Sequence, residues 1–228
     1  MNVAIIPARG GSKRIKNKNL INFNGKPLIY YSIKAAINSG LFKKIIVSTD
    51  SKKIKKISKR FGAEVPFMRP KKISSDQAKA QDVVVHGIQY LSKKKITFDF
   101  VCCIYPTAPL IRVRDIKKGF KKVKGKWDYI FSACKYKKSI LRSFTLNKKK
   151  TIKFIKPNYI NTNTQDLDHT YYDAGQFYWA NKQNWLKNNL YLKKGSIIQI
   201  DEKYVQDIDY YEDLMILKKK FRKLKNGK

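Results

Sequence analysis

Arg9, Lys13, Arg14, Lys16 and Lys18 put five cations into ten residues, directly behind an apolar run and around the pair Gly10–Gly11. Glycines let a backbone turn tightly, so that several N–H groups can face one anion. Ser12 adds a hydroxyl donor, and an arginine can grip a phosphate through two parallel N–H bonds. Such a loop suits a triphosphate. The string IIPARGGSKRIKNKN fits neither G-x-x-x-x-G-K-[ST] nor G-x-G-x-x-G. A Gly-Gly turn carrying surface lysines is the competing account, and residue types alone divide the two about evenly. Its place behind the first apolar run favours anion binding.

Asp207 and Asp209 form a second candidate. Spaced i, i+2 on an extended stretch, their carboxylates lie on one side. Oxygen donors so arranged suit Mg²⁺, which takes one or two carboxylates and completes its shell with substrate phosphates. For an isolated D-x-D pair the commoner reading is acidic decoration of a helix N-terminus, here YEDLMIL. Ser75 and Asp76 are candidates either for a site or for capping the helix that follows. His86 sits among valines and reads as a packed helix residue, and His169 lies in a polar loop without an assigned role. Two distant histidines and three scattered cysteines give no zinc site.

These residues need a scaffold, and the chain alternates. MNVAIIPA, KIIVSTD, AEVPF, FDFVCCIY and WDYIFSACKY read as strands. Between them PLIYYSIKAAINSG, SKKIKKISKRFG, SSDQAKAQDVVVHGIQYLSKK and RDIKKGFKKVK read as helices, the first two stopping at Gly40 and Gly62. This rhythm predicts a Rossmann-like α/β fold, a mainly parallel sheet flanked by helices. The rhythm breaks near residue 140 with a hairpin turning at Asn147–Lys150. Then follow an aromatic strand GQFYWA, a short helix over 181–189, a strand SIIQID and a long closing helix over DIDYYEDLMILKKKFRKLK, with a frayed tail at 226–228. In such sheets ligands bind outside the strands' carboxyl ends. The loops Ala8–Asn19, Thr49–Ser51, Pro106–Arg112 and Asp207–Asp209 therefore matter most.

The chain's 228 residues suit one compact domain. MNVAII is too short an apolar run for a signal segment, and no later run spans a membrane. Cys102, Cys103 and Cys134, odd in number and partly adjacent, point to buried thiols in a reducing compartment, so the expected location is cytoplasmic. The net charge of +35 raises nucleic acid as a partner. The lysines are spread along the whole chain and fall on polar helix faces, beside many Ile, Asn, Tyr and Phe. Coding bias and solvated surface account for that pattern better than a dedicated nucleic-acid site. The charge does imply a positive field that attracts anions and weakens with salt.

The fuller string IPARGGSKRIKNKNL resembles the first motif of the cytidylyltransferases that activate nonulosonic acids. GKPLIYYSIKAA, VSTD at 47–50, GAEVPFMRP at 62–70, SSD at 74–76 with DVVVH at 82–86, PTAPL at 106–110 and DIDYYEDL at 207–214 continue it in register. The resemblance implies a nucleotide-diphospho-sugar transferase type of sheet, one domain over 1–228 and an inserted dimerisation arm over about 135–185. It implies a homodimer that joins CTP to the anomeric hydroxyl of an acidic sugar with Mg²⁺ and releases pyrophosphate, with no membrane and no dedicated nucleic acid.

By the same resemblance Ala8, Arg9, Gly10, Gly11, Ser12, Lys13 and Asn19 lie in the nucleotide-binding motif, with Lys18 at the α-phosphate. Arg9, Lys18 and Asp209 are the expected catalytic residues, and Asp207 and Asp209 the expected metal ligands. Asp209 is also a candidate to help deprotonate the attacking hydroxyl. Asp50, Ser75 and Asp76 join the nucleotide set, although Asp50 reads equally as a strand end. Arg69 reads as a surface arginine before Pro70, with an anion contact as the alternative.

Two departures bear on the sugar. The sialic acid enzymes read Q-P-T-S-P-L where this chain has Tyr105-Pro106-Thr107-Ala108-Pro109-Leu110. Tyr172-Asp173-Ala174-Gly175-Gln176-Phe177-Tyr178-Trp179 resembles the pseudaminic acid branch of the family. Tyr105, Thr107, Asp173, Gln176, Phe177 and Tyr178 are therefore the candidate sugar residues. Phe177 and Tyr178 would form an aromatic wall for methyls, and Gln176 and Asp173 would bond amides. A buried sheet strand with Phe177 and Trp179 in the core is the competing account. The alternatives to pseudaminic acid are N-acetylneuraminic, legionaminic or a related acid. The rival from another class is a basic nucleic-acid-binding protein without catalysis.

Overall fold

The computed structural model describes residues 1–187 and 194–226. The apolar run after Met1 is strand β1 (Asn2–Pro7), followed by the cationic loop and a small hairpin, β2 (Asn22–Phe23) and β3 (Lys26–Pro27). Helix α1 (Leu28–Ser39) stops at Gly40, whose φ of 66° suits glycine. Then come β4 (Lys44–Ser48), α2 (Lys52–Arg60), α3 (Ala80–Lys93), β5 (Phe100–Ile104), α4 (Val113–Val123) and β6 (Tyr129–Lys135). The chain leaves the sheet through a hairpin, β7 (Phe144–Leu146) and β8 (Ile152–Phe154), and returns as β9 (Tyr171–Asn181). Helix α5 (Lys182–Leu186), β10 (Gly195–Gln199) and α6 (Tyr211–Asn226) complete it. Residues 188–189 of the expected short helix and 227–228 of the expected tail lie outside the described residues.

The main sheet has the order β10-β6-β9-β5-β1-β4, and only β9 runs against its neighbours. Ala4, Ile6, Val47, Cys102 and Ile104 face one core with α1 and α4, while Val3, Ile5, Ile46, Val101 and Cys103 face another with α3 and α5. Strands covered on both faces carry the near-continuous apolar runs seen in the sequence. All three thiols are free and buried.

The strand expected at AEVPF is not one. Glu64 makes a single parallel bridge to Ile46, with Glu64 N–H bonding Ile45 O at 2.7 Å. Pro66 has no N–H with which to extend it. Of the stretch 135–185, residues 171–181 belong to the main sheet, and the departing segment is closed at its base by Tyr136 N–H to Thr170 O at 2.9 Å.

A third, smaller core matters most for function. Ile15 from the cationic loop, Phe23 and Leu28 from the hairpin and α1, Leu110, Ile208, and Leu214 and Leu217 from α6 pack together. Ile15 and Ile208 are 1% and 0% exposed, so this cluster pins the cationic loop and the acidic D-I-D segment to one another. No helix among the described residues is long and apolar enough to cross a membrane.

Candidate active site

Chain order reverses at β1, which lies between β4 and β5, and a cleft of about 600 Å³ opens beyond the carboxyl ends of β1 and β5. That is the place and size expected of a ligand site in an open α/β sheet. Arg9, Ser12, Lys13, Arg14, Lys18 and Asn19 face it from the cationic loop. Ser75 and Asp76 face it from the segment before α3, Tyr105 and Thr107 from the end of β5, and Asp207 and Asp209 from the far end of the chain.

The side chains sit in two cation–carboxylate groups. Asp76 takes Arg9 Nη1 at 2.5 Å and Lys13 Nζ at 2.6 Å. Hydrogen bonding from Lys13, with Arg9 beside it, holds its carboxyl below the usual range. Asp209 Oδ1 takes Arg14 Nη2 at 2.7 Å and lies 3.5 Å from Lys18 Nζ. Lys18 also donates to the backbone carbonyl of Ile208.

Local bonding explains why these carboxylates are available. Asp82 accepts the Lys79 N–H at 3.1 Å, so α3 is capped by Asp82 and not by Ser75 or Asp76. At α6, Asp213 Oδ2 accepts the N–H groups of both Asp209 and Tyr210 at 2.8 Å. Asp213 does the capping, and the Asp209 carboxylate turns to the cleft. Asp207 Oδ1 accepts the Ile208 N–H at 2.8 Å, which leaves its second oxygen uncommitted to that bond.

Several expected residues play supporting parts. Asn19, buried, donates to Arg9 O at 2.9 Å and so fixes the backbone that presents Arg9. The Gly10 N–H is taken by Asp50 Oδ1 at 2.7 Å, so it does not point at a cleft anion, and Asp50 stands behind the loop and not in the cleft. A Cβ on Gly10 would meet Ser51 Cβ at 2.9 Å, which is why glycine stands there. Gly11 has open space where a Cβ would be and no positive φ, so neither reason for glycine applies to it. Ala8 is buried and donates its N–H to Ser48 O at 2.9 Å, extending the β1–β4 ladder.

The β9 residues differ from expectation. Phe177 is fully buried in the core against Gly119 of α4, and cannot serve as a sugar wall. Tyr178, on the opposite face, packs its ring 5.2 Å from that of Tyr105 and bonds Asp173 Oδ2 at 2.5 Å. Tyr178 thus supports a cleft residue from behind, and Asp173 anchors it outside the cleft. Gln176 is buried beneath the cleft floor.

Arg14 and Arg69 belong to the cleft although neither was assigned to it. Arg14 was visible only as one more cation. Arg69 is buried, not superficial, with its Nε 3.2 Å from Ser48 Oγ and its guanidinium also donating to Ser48 O. Burial pulls its pKa down to about 10. No local pattern distinguishes it from a surface arginine, because Ser48 reaches it only through the fold. His86 is half-buried against Phe67, and burial lowers its pKa. His169 lies outside the cleft, 2.9 Å from Lys135 Nζ.

Among the described residues no group of three or more His, Cys, Asp or Glu could hold a metal alone. Asp207 and Asp209 both line the cleft, and carboxylate oxygens beside cations that can bind phosphate are the donor type that suits Mg²⁺, with Asp209 Oδ1 held here by Arg14 and Lys18.

A sequence model of the family described as cytidylyltransferase matches residues 3–228. A pseudaminic acid cytidylyltransferase of Campylobacter jejuni is 38% identical over 219 residues, covering 95% of this chain and 94% of that protein. An N-acylneuraminate cytidylyltransferase of Escherichia coli is 29% identical, covering 91% of this chain and 49% of its own. Among solved structures, a CMP:2-keto-3-deoxy-manno-octonic acid synthetase complexed with CTP superposes with a TM-score of 0.73 at 16% identity, covering 97% of this chain and 98% of its own, which speaks for the fold alone.

Proposed function

From the premise that this chain belongs to the cytidylyltransferase family, we propose that it transfers CMP from CTP to the anomeric hydroxyl of pseudaminic acid and releases pyrophosphate. The observation that carries this reading is the meeting of Lys18 with Asp209 and Ile208 O, which puts the phosphate-binding cations and the acidic pair in one cleft. The sugar is taken from the relative that is 38% identical over nearly the whole of both chains.

In the reaction the sugar oxygen forms a bond to the α-phosphorus of CTP, and the bond from that phosphorus to the bridging oxygen breaks. Arg9, Ser12 and Lys13 bind the phosphate chain, and Lys18 balances charge at the α-phosphate. Both tasks are electrostatic positioning, which carries most phosphoryl-transfer catalysis. Arg14 stands where it can follow its charge from Asp209 to a phosphate. Tyr105 and Thr107 line the acceptor side, with Tyr105 braced by Tyr178. Asp209 is our candidate to help take the proton of the attacking hydroxyl, directly or through a water.

Asp207 and Asp209 would hold Mg²⁺, which when bound supplies charge neutralisation along the phosphates. We place a homodimer contact on the departing segment, where Phe144, Leu146 and Ile152 are 52%, 61% and 54% exposed. Buried free thiols agree with a cytoplasmic setting.

The test is incubation of the purified protein with CTP, Mg²⁺ and, separately, pseudaminic, N-acetylneuraminic and legionaminic acid, with the CMP-sugar identified by mass. Preference for pseudaminic acid is expected. Preference for either other acid would overturn the sugar. Tight DNA binding without pyrophosphate release would overturn the enzyme.

A further inference from the structure

β9 does not run straight past β6. Phe131 pairs with Tyr178 and Ala133 with Asp173, so two steps on β6 span five on β9. Gly175 sits in this bulge with φ of 59°, a value that side chains other than glycine rarely adopt. Bulges beside ligand sites commonly re-aim one side chain. Here the residue is Gln176, 3% exposed, which lines a small cavity together with Thr107 and Asp207.

Gln176 touches both walls of the cleft. Its backbone carbonyl accepts the Tyr105 N–H at 2.9 Å, fixing the start of the Tyr105–Thr107 wall. Its amide nitrogen donates to Tyr204 O at 2.6 Å, fixing the segment that runs on to Asp207 and Asp209. Ser132 Oγ receives the Gln176 N–H at 3.2 Å and holds the bulge itself. The amide oxygen is buried with no hydrogen-bond partner, and Gln176 lines a cavity of about 10 Å³, room for one water-sized group. A buried amide with one end bonded and the other left without a partner is unlike ordinary core filling, since an apolar residue would avoid the desolvation cost.

We infer that Gln176 is a positioning residue for the transfer reaction, setting the separation between the Tyr105–Thr107 wall and the acidic Asp207–Asp209 segment through its bond to Tyr204 O. The inference rests on the active-site reading above. It assigns Gln176 no contact with the nucleotide, so its loss changes the geometry of the acidic pair and leaves the grip on the triphosphate intact.

Gln176→Leu is expected to lower kcat about 10-fold or more, leave the dissociation constant for CTP measured without metal within about twofold, and weaken Mn²⁺ binding to the CTP complex, read by electron paramagnetic resonance. Gln176→Glu tests the same bond without changing shape. As an anion the new side chain opposes the Tyr204 carbonyl, and when protonated it donates to it. Its activity relative to wild type should therefore rise as pH falls from about 8 to about 6 even where circular dichroism shows the variant equally folded at both, which a purely structural role would not produce. Wild-type kcat and Mn²⁺ affinity in Gln176→Leu, or a pH-independent ratio in Gln176→Glu, overturn the inference. Should Gln176→Leu not fold, the pH ratio of Gln176→Glu decides alone. If the wild-type protein itself makes no CMP-sugar, the active-site reading fails instead.

Discussion

Lys18, at the end of the cationic loop, donates to the backbone carbonyl of Ile208 and stands 3.5 Å from Asp209 Oδ1, 191 positions further along the chain. An ammonium held between a carbonyl and a carboxylate is preorganised before any phosphate arrives. Lys18→Ala removes the charge proposed to act at the α-phosphate while leaving the buried Ile15 anchor in place. The expected result is a loss of about 10²–10³ in kcat with an unchanged circular dichroism spectrum. Steady-state pyrophosphate release measures it, and near-normal turnover would remove Lys18 from the mechanism.

The acidic pair makes a separate prediction. Among the described residues no group of three or more His, Cys, Asp or Glu could hold a metal ion, so on the proposed reading ion affinity should depend on the nucleotide. Mg²⁺ should raise the melting temperature much more with CTP present than without it. Chelation should stop turnover without unfolding the protein, and excess Mg²⁺ should restore it. Asp209→Asn should show neither the nucleotide-dependent shift nor the restored activity. Equal Mg²⁺ stabilisation with and without CTP would contradict the two-carboxylate arrangement.

Asp76 should behave in the opposite sense to a binding residue. It neutralises Arg9 and Lys13, the cations expected to meet phosphate. Asp76→Asn releases both, so the dissociation constant for CTP should fall severalfold at low salt, and calorimetry can read this. The same group gives a pH signature. Its folded pKa lies below its unfolded value because Lys13 and Arg9 favour the anion. Its contribution to stability is therefore complete above the ordinary aspartate value of about 4 and fades as pH falls through the lower folded value. Asp76→Asn should lose part of the wild-type dependence below about pH 4, and weaker CTP binding by the variant would show instead that Asp76 touches the nucleotide.

Much of this site was legible before the fold. The strands were visible because two-sided burial writes continuous apolar runs, and the loops after β1 and β5 followed from the rule for parallel sheets. The cations of residues 9–18 and the pair Asp207–Asp209 were legible as residue types. Pairing them required the third core, whose members Ile15, Leu110 and Ile208 come from three unrelated loops with no shared periodicity. Arg69 was missed because burial by Ser48 is a tertiary fact. Phe177 was misassigned because strand alternation says that two faces exist but not which one meets the cleft. The strand at AEVPF failed because Pro66 permits only one bridge.

That third core yields the last prediction. Ile208, fully buried and flanked in sequence by Asp207 and Asp209, shares its cluster with Ile15 and with Leu214 and Leu217 of α6, which ties the acidic segment to that helix. Ile208→Ala leaves a cavity and should cost about 2–5 kcal/mol of stability, as buried isoleucine truncations do. Leu91→Ala, on the buried face of α3, removes a comparably buried side chain from a different core cluster and is the matched control. Both variants should shift the urea midpoint by similar amounts. At a temperature where both remain folded, Leu91→Ala should keep near-normal turnover, whereas Ile208→Ala should lose it by at least tenfold and need more Mg²⁺ for half-maximal rate. Ile208→Val, which retains most of the packing, should recover most of both losses. If the two alanine variants lose activity only in proportion to their stability, the small core is a scaffold element and does not set the geometry of the site.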